Sequence, residues 1–449
     1  MRRDIRSASR THRARTRFVP ALAVACLGSA LLIACSSAKT PNPSVTVRSQ
    51  ASEAPSTGAA VASEPTNGSV PCPTIASPPD SQVATERGEA ARLAPSAWPA
   101  FQHDARHSSS SAAVGPQDAT LRWRRRLEGG VTPAPVIGVD GTIYAASNGG
   151  VLHALDPATG EDRWTFDGGG GYGSDLSTAP AVLADGTILW PGPRDTLFGL
   201  DAAGTLLWSR QFGSFLLSPA ITAGGSIAIA EMSGALHMLD ITSNGVHERW
   251  SSDLGGSGTS YGSPAIGDDG TIFATAGNRI VALRDEGDRG EILWHFDIGS
   301  GTEVSPAVGR TGISIFGTND DFEYGVDAEG RELWRYPRKS LSYSSPAVTD
   351  GGLAYFGDHN GYMNVVEARS GCLVRRYKGS DEIWTAPAID AKGNVYFGTK
   401  DGHIFGFAFN GAMLLDIATG ATVDSYPAIA ADGTLIIGSS NGTLYAIGR

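Results

Sequence analysis

Few of the side chains able to do chemistry in this sequence stand at a spacing that makes a site. His103 and His107 are four residues apart, as metal ligands often are. A zinc site takes three or four ligands, however, and this pair has no third beside it, so it reads as part of a rim segment. Gly168-x-Gly170-x-x-Gly173 has the spacing of a phosphate-cradling loop, but no helix start follows, and it reads as a flexible link. His153 and His237 share a strand position with Phe198, Phe405 and Tyr445, and read as packing residues. No two of the four cysteines are adjacent. Cys72 and Cys372 could close one disulfide in an oxidising envelope; two free thiols are the alternative. A more coherent set stands three residues before a recurring proline: Thr132, Ser177, Leu216, Tyr261, Glu303, Tyr343, Trp384 and Asp424. Tyr261, Tyr343 and Trp384 would make an aromatic wall, with Glu303 and Asp424 as acceptors. No catalytic residue and no metal ligand emerges.

The elements that position these residues are repeats. Pro135, Pro180, Pro219, Pro264, Pro306, Pro346, Pro387 and Pro427 follow one another at intervals of 39 to 45 residues, and a glycine stands six residues after every one. In four units that glycine follows an aspartate, a tight-hairpin signal because both residue types tolerate φ > 0. In the first unit, Ala134–Val139, Thr142–Ala146, Val151–Asp156 and Glu161–Phe166 read as strands separated by turn residues. Four short strands per period is the pattern of a β-propeller blade, which must stack on neighbours to bury both faces. The eighth unit ends after its third strand, and Ala119–Leu127, with Trp123, supplies the missing fourth. The expected fold is therefore all-β: an eight-bladed propeller over residues 96–449, closed by an N-terminal strand in the last blade. Trp98–Phe101 and His103-Asp104 precede it as a cap over blade or rim. The fourth-to-first links feed the innermost strands, so the residues three before each proline should ring the channel mouth.

Composition agrees. The 449 residues are 41% apolar and 18% charged, with 58 glycines, which excludes wholesale disorder and implies many turns. Residues 1–34 carry seven Arg and one Asp, so the formal charge of −11 becomes −17 without them. A body this acidic has no basic footprint for nucleic acid. Met1–Arg17 is basic and Phe18–Ala34 apolar but short for a membrane span, the layout of a secretory signal. Residues 35–95, rich in Ser, Pro and Ala, read as a disordered tether with an end-to-end distance of roughly 40–45 Å.

Two resemblances add to this reading. Leu32-Ile33-Ala34-Cys35 resembles the bacterial lipoprotein box, which implies cleavage before Cys35 and a lipid on its thiol. The protein would then sit in the outer membrane of a Gram-negative cell, or on the outer face of a Gram-positive cytoplasmic membrane. Ala154-x-Asp156-x-x-Thr159-Gly160-x-x-x-Trp164 resembles the tryptophan-docking motif of the pyrroloquinoline-quinone-type propellers, and Trp208, Trp250, Trp294 and Trp334 repeat it. In that superfamily the indole fills the wedge between blades. Arg375 and Leu415 depart from the pattern, so their blades should pack less regularly. The superfamily includes quinoprotein alcohol dehydrogenases and the non-enzymatic lipoprotein propeller of the outer-membrane β-barrel assembly machine. The first would imply bound quinone and calcium, with an adjacent cysteine pair that this chain lacks. The leading expectation is a lipid-anchored, non-enzymatic scaffold or recognition module without cofactor. It would be a monomeric propeller, with envelope proteins or a small ligand as partners on its loop face. A quinone-dependent dehydrogenase and a glycan-binding or sensor propeller are the alternatives.

Overall fold

The computed structural model describes residues 93–171, 178–242, 245–338 and 343–449. The signal, Cys35, Cys72 and the tether as far as residue 92 lie outside the described residues. All described regular structure is β. Thirty-two strands form eight four-stranded antiparallel sheets, arranged as an eight-bladed propeller. Blade 1 runs Val136–Ile137, Ile143–Ala146, Val151–Leu155 and Asp162–Asp167 from the axis outward. Blade 8 takes Leu121–Arg126 as its outermost strand, paired antiparallel with Thr443–Ile447, so the two ends of the body share one sheet.

Burial explains the sequence pattern of each strand. The second strands are buried along their whole length and most third strands nearly so, because a neighbouring blade covers each face; the longer third strand of blade 3, Ala235–Thr242, is buried only in part. They accordingly read as continuous apolar runs, such as Ile143–Ala146, where an open sheet would alternate. The outermost strands face solvent on their edge and alternate, as in Asp162–Asp167. The glycine six residues after each repeat proline has φ between +73° and +86° in all eight blades, a region closed to most L-residues. That backbone requirement is why the glycine recurs.

The docking tryptophans work between blades. Trp164 donates its indole N–H to Ala202 O of blade 2 at 2.9 Å, and a Cβ on Gly204 would lie 2.6 Å from the ring. Trp123 meets Gly160, Trp250 meets Gly290, Trp294 meets Gly330 and Trp334 meets Gly371 as closely, while Trp208 meets Gly245 in looser contact at 3.4 Å. Repeats 1 to 6 thus receive the preceding blade's indole on that glycine, and repeats 1 to 5 send their own tryptophan to the next. Where the motif lapses the wedge is still filled. The Arg375 guanidinium donates to Asn410 O at 3.0 Å and covers the Phe409 ring. Leu415 is buried in a cluster with Tyr396 and Trp98.

Candidate functional site

The first strand of each blade is two residues long, and first strands of neighbouring blades touch around the axis. The link entering each strand fixes the mouth. Its last residues are locked blade to blade. The Ala179, Ser218, Ser263 and Ser305 amides donate to the Ser218, Ser263, Ser305 and Ser345 hydroxyls at 2.9–3.1 Å. A small hydroxyl residue before the proline therefore closes a girdle of hydrogen bonds. Tyr426 breaks the small-residue rule in blade 8, and its hydroxyl lies 3.0 Å from Ser345 Oγ.

Above this girdle lies a cavity of about 300 Å³. Tyr261, Glu303, Tyr343, Trp384 and Asp424 all line it, as the proline offset predicts. The other mouth positions behave differently. Thr132 and Leu216 are buried at 1% exposure, and Ser177 lies outside the described residues. The candidate site is accordingly lopsided, with its functional side chains on blades 4 to 8. Phe101 and Tyr426 also line it, with ring centroids 5.3 Å apart. Phe101 carried no chemical signal of its own. Tyr426 did, as the one large residue at a position where the other seven repeats have Ala or Ser.

One wall is an aromatic cluster tied together by charge. Tyr343 stacks on His359 at 5.3 Å and lies 5.0 Å from Trp384. Trp384 donates its indole N–H to Glu382, and Lys400 reaches the same carboxylate at 3.1 Å while its ammonium lies 4.3 Å from the Trp384 ring centroid. Partial burial lowers the His359 pKa, so the imidazole is neutral at pH 7. Burial and the negative charge of Glu303 raise that of Tyr343. Burial also favours the neutral form of Glu382, but Lys400, His359 and Trp384 outweigh it and hold the carboxylate below its usual range. Glu303 accepts from Asn319 Nδ2 at 3.1 Å.

The floor comes from the lead-in segment. Residues 98–109 do more than cap a rim; they cross the axis. The Ile137, Val182, Ile266, Val308 and Ile389 amides, the last residues of five innermost strands, donate to Trp98, Pro99, Ala105, Arg106 and Ser109 carbonyls. Gln102 Nε2 donates to Pro346 O, and His107 Nδ1 lies 2.7 Å from Pro306 O. That carbonyl only accepts, so Nδ1 carries the proton. Gln102, His103, His107 and Ser109 hold positive φ, strain that the surrounding ring sustains. His107 is thus a packing residue with its pKa pushed down to about 4 by burial.

The remaining sequence candidates fall elsewhere. In the link at Asp320–Glu323, Asp321 is exposed, Asp320 accepts from the Tyr324 hydroxyl, and Glu323 is fully buried 3.5 Å from Arg338 Nε. His153 Nδ1 lies 2.8 Å from Asp162. Cys372 is buried and disulfide-bonded, while its expected partner Cys72 lies outside the described residues. No group of three or more metal-ligating side chains occurs among the described residues.

Fold and repeat together define a quinone-type repeat propeller. A family model described as outer membrane protein assembly factor BamB matches residues 108–247 and 247–449, and the chain belongs to that family. Quinohemoprotein alcohol dehydrogenase from Comamonas testosteroni is 32% identical over 108 residues, 22% of this chain and 15% of that protein. The chain therefore spans a small part of that relative's length. The crystal structure of the same dehydrogenase superimposes with a TM-score of 0.63 at 15% identity, covering 78% of this chain and 81% of the other. BamB from Moraxella catarrhalis superimposes with a TM-score of 0.58 at 17% identity, covering 74% of this chain and 100% of the other. At these identities the superpositions establish the fold alone.

Proposed function

We propose that this protein is an exported, lipid-anchored propeller of the cell envelope that recognises a ligand or partner at its axial mouth and catalyses no reaction. The observation that carries the reading is the mouth cavity. Five residues that vary against a regular repeat converge on one concave site, above a floor that is locked to the ring. Pockets of this kind, apolar with a few convergent polar groups, are the usual form of a recognition site. The family match supports an envelope protein, with Cys35 as the anchor and the Ser/Pro/Ala-rich stretch that follows it as the tether.

The residues present do not fit a bound quinone with calcium. Pyrroloquinoline quinone carries three carboxylates, and the described lining offers two more carboxylates and no cation to receive them. The one described cysteine, Cys372, stands in blade 6 outside the cavity lining.

Native mass spectrometry of the protein purified from its own envelope tests the reading. A bound mass is expected on the native protein and lost in the triple variant Tyr261→Ala, Tyr343→Ala, Trp384→Ala. Retention of that mass by the variant, or dye reduction by the native protein once supplied with pyrroloquinoline quinone and Ca²⁺, would overturn it.

A further inference from the structure

The chemistry of the mouth narrows what it can hold. We infer that the cavity binds a small organic cation, an ammonium group on a short apolar body, through an aromatic cage closed by Glu303 and Asp424. This rests on the mouth being a recognition site and assigns its ligand class.

Four features carry the assignment. First, charge: the described lining holds two carboxylates and no Lys, Arg or His. The surrounding body is acidic as well, and focuses cations towards the cleft. Second, the aromatic faces. Tyr261, Tyr343 and Trp384 stand on three separate blades and line one space, as the walls of an ammonium cage must. Third, the chain already places a cation on this surface. The Lys400 ammonium sits 4.3 Å from the Trp384 ring centroid at the rim, held by Glu382. Among the described residues no other Lys or Arg lies over the rings of Tyr261, Tyr343 or Trp384. Fourth, part of the polar lining is already committed. Ser263 and Ser305 hydroxyls already accept girdle amides, which leaves each one donor. Thr178 is 3% exposed, lines the cavity, and its hydroxyl has no hydrogen-bond partner among the described residues. An anion would meet two like charges.

Size points the same way. A cavity of about 300 Å³ lies at the small end of ligand pockets, which run roughly 300–1,000 Å³. It suits a compact amine better than a polymer chain or a planar tricycle. Phe101 and Tyr426 supply the apolar base against which a short alkyl body would rest.

Isothermal titration calorimetry of the whole purified protein tests this with four probes: choline, cadaverine, glucose and succinate. Choline and cadaverine should bind with dissociation constants below about 10 mM, and glucose and succinate more weakly. The double variant Glu303→Gln, Asp424→Asn and the single variant Trp384→Phe should each weaken the cation by about threefold to thirtyfold. The carboxylate changes are nearly isosteric, Trp384→Phe keeps an aromatic face while losing the indole N–H, and unchanged thermal melting would establish that the ring is intact. Tighter cadaverine would assign a primary amine and tighter choline a quaternary one. Absence of cation binding overturns the inference, as does cation binding indifferent to the carboxylate double variant. Tighter binding of glucose that is lost in Trp384→Ala overturns the ligand class and leaves the mouth as a recognition site. Quinone-dependent dye reduction overturns both.

Discussion

At one end of the axis, the last residues of five innermost strands donate their amides to a single coiled segment, and its side chains reach further. Arg106 lies 2.6 Å from Asp350 and 3.4 Å from Asp268, and Arg310 bridges the same two aspartates across blades 4 to 6. At the other end, the residues three before each proline make no such circle. Tyr261 is 37% exposed, and the cluster around Trp384 answers to its own neighbours. The same eight strands thus carry a sealed end and an open one. At the sealed end five of the eight innermost strands have their last amide paired, and strained φ values are tolerated because the ring over-determines them. At the open end, the rings of Tyr261, Tyr343 and Trp384 are left partly exposed to water, apolar surface whose burial a ligand would complete. Stability should reside at the first and binding at the second.

The largest expected break of this comparison comes from one indole at each end. Trp98 is 1% exposed and packs with residues of blades 1, 7 and 8. Trp98→Ala should cost about 3–5 kcal/mol in denaturant unfolding, as large core truncations do. Trp384→Ala should cost under about 1 kcal/mol and abolish mouth binding. Equal losses would mean that the mouth is part of the core.

Acid should act next, and on the sealed end first. His107 binds its proton with a pKa of about 4 in the fold, below the usual 6.5. The unfolded chain therefore takes up the proton earlier. Stability is intact above pH 6.5 and falls as the pH drops from 6.5 towards 4, by about 3 kcal/mol at the limit. His107→Gln keeps a donor for Pro306 O and should flatten that slope in melts recorded between pH 4 and 7.

Smaller effects sharpen the picture. Arg106→Met removes a largely buried guanidinium while Arg310 still pairs Asp268 and Asp350. A loss of about 2 kcal/mol is expected, below the full cost of an orphaned buried charge. Ser305→Ala removes one girdle acceptor, from the Ser263 amide, and should cost about 1 kcal/mol. Tyr343→Phe should leave stability within about 0.5 kcal/mol. Hydrogen exchange at the Val308 and Ile389 amides would separate these variants, quickening for Arg106→Met and staying unchanged for Tyr343→Phe.

Much of the site was legible because it is periodic. A proline that opens a strand and a glycine held at φ near +80° are requirements of local backbone geometry, so they recur in the sequence wherever the geometry recurs. Counting back from them placed Tyr261, Glu303, Tyr343, Trp384 and Asp424 around one mouth. His359, Glu382 and Lys400 escaped because they sit in the neighbouring links, where no repeat marks them.

The sequence by itself determined eight blades, their closure by the strand bearing Trp123, the docking positions and the register of the mouth. These follow from local propensity and spacing, which each repeat states anew. Only the tertiary structure decided that each indole docks on the following blade and that Arg375 serves in place of one. It alone sent the acidic residue Glu323 into the core and drew residues 98–109 through the axis. Those contacts join residues far apart in the chain, as Gln102 is from Pro346 across 244 positions. Such pairings carry no period and no local signature; they exist because closing a ring leaves an axis lined with unpaired amides, and buried amides must find acceptors.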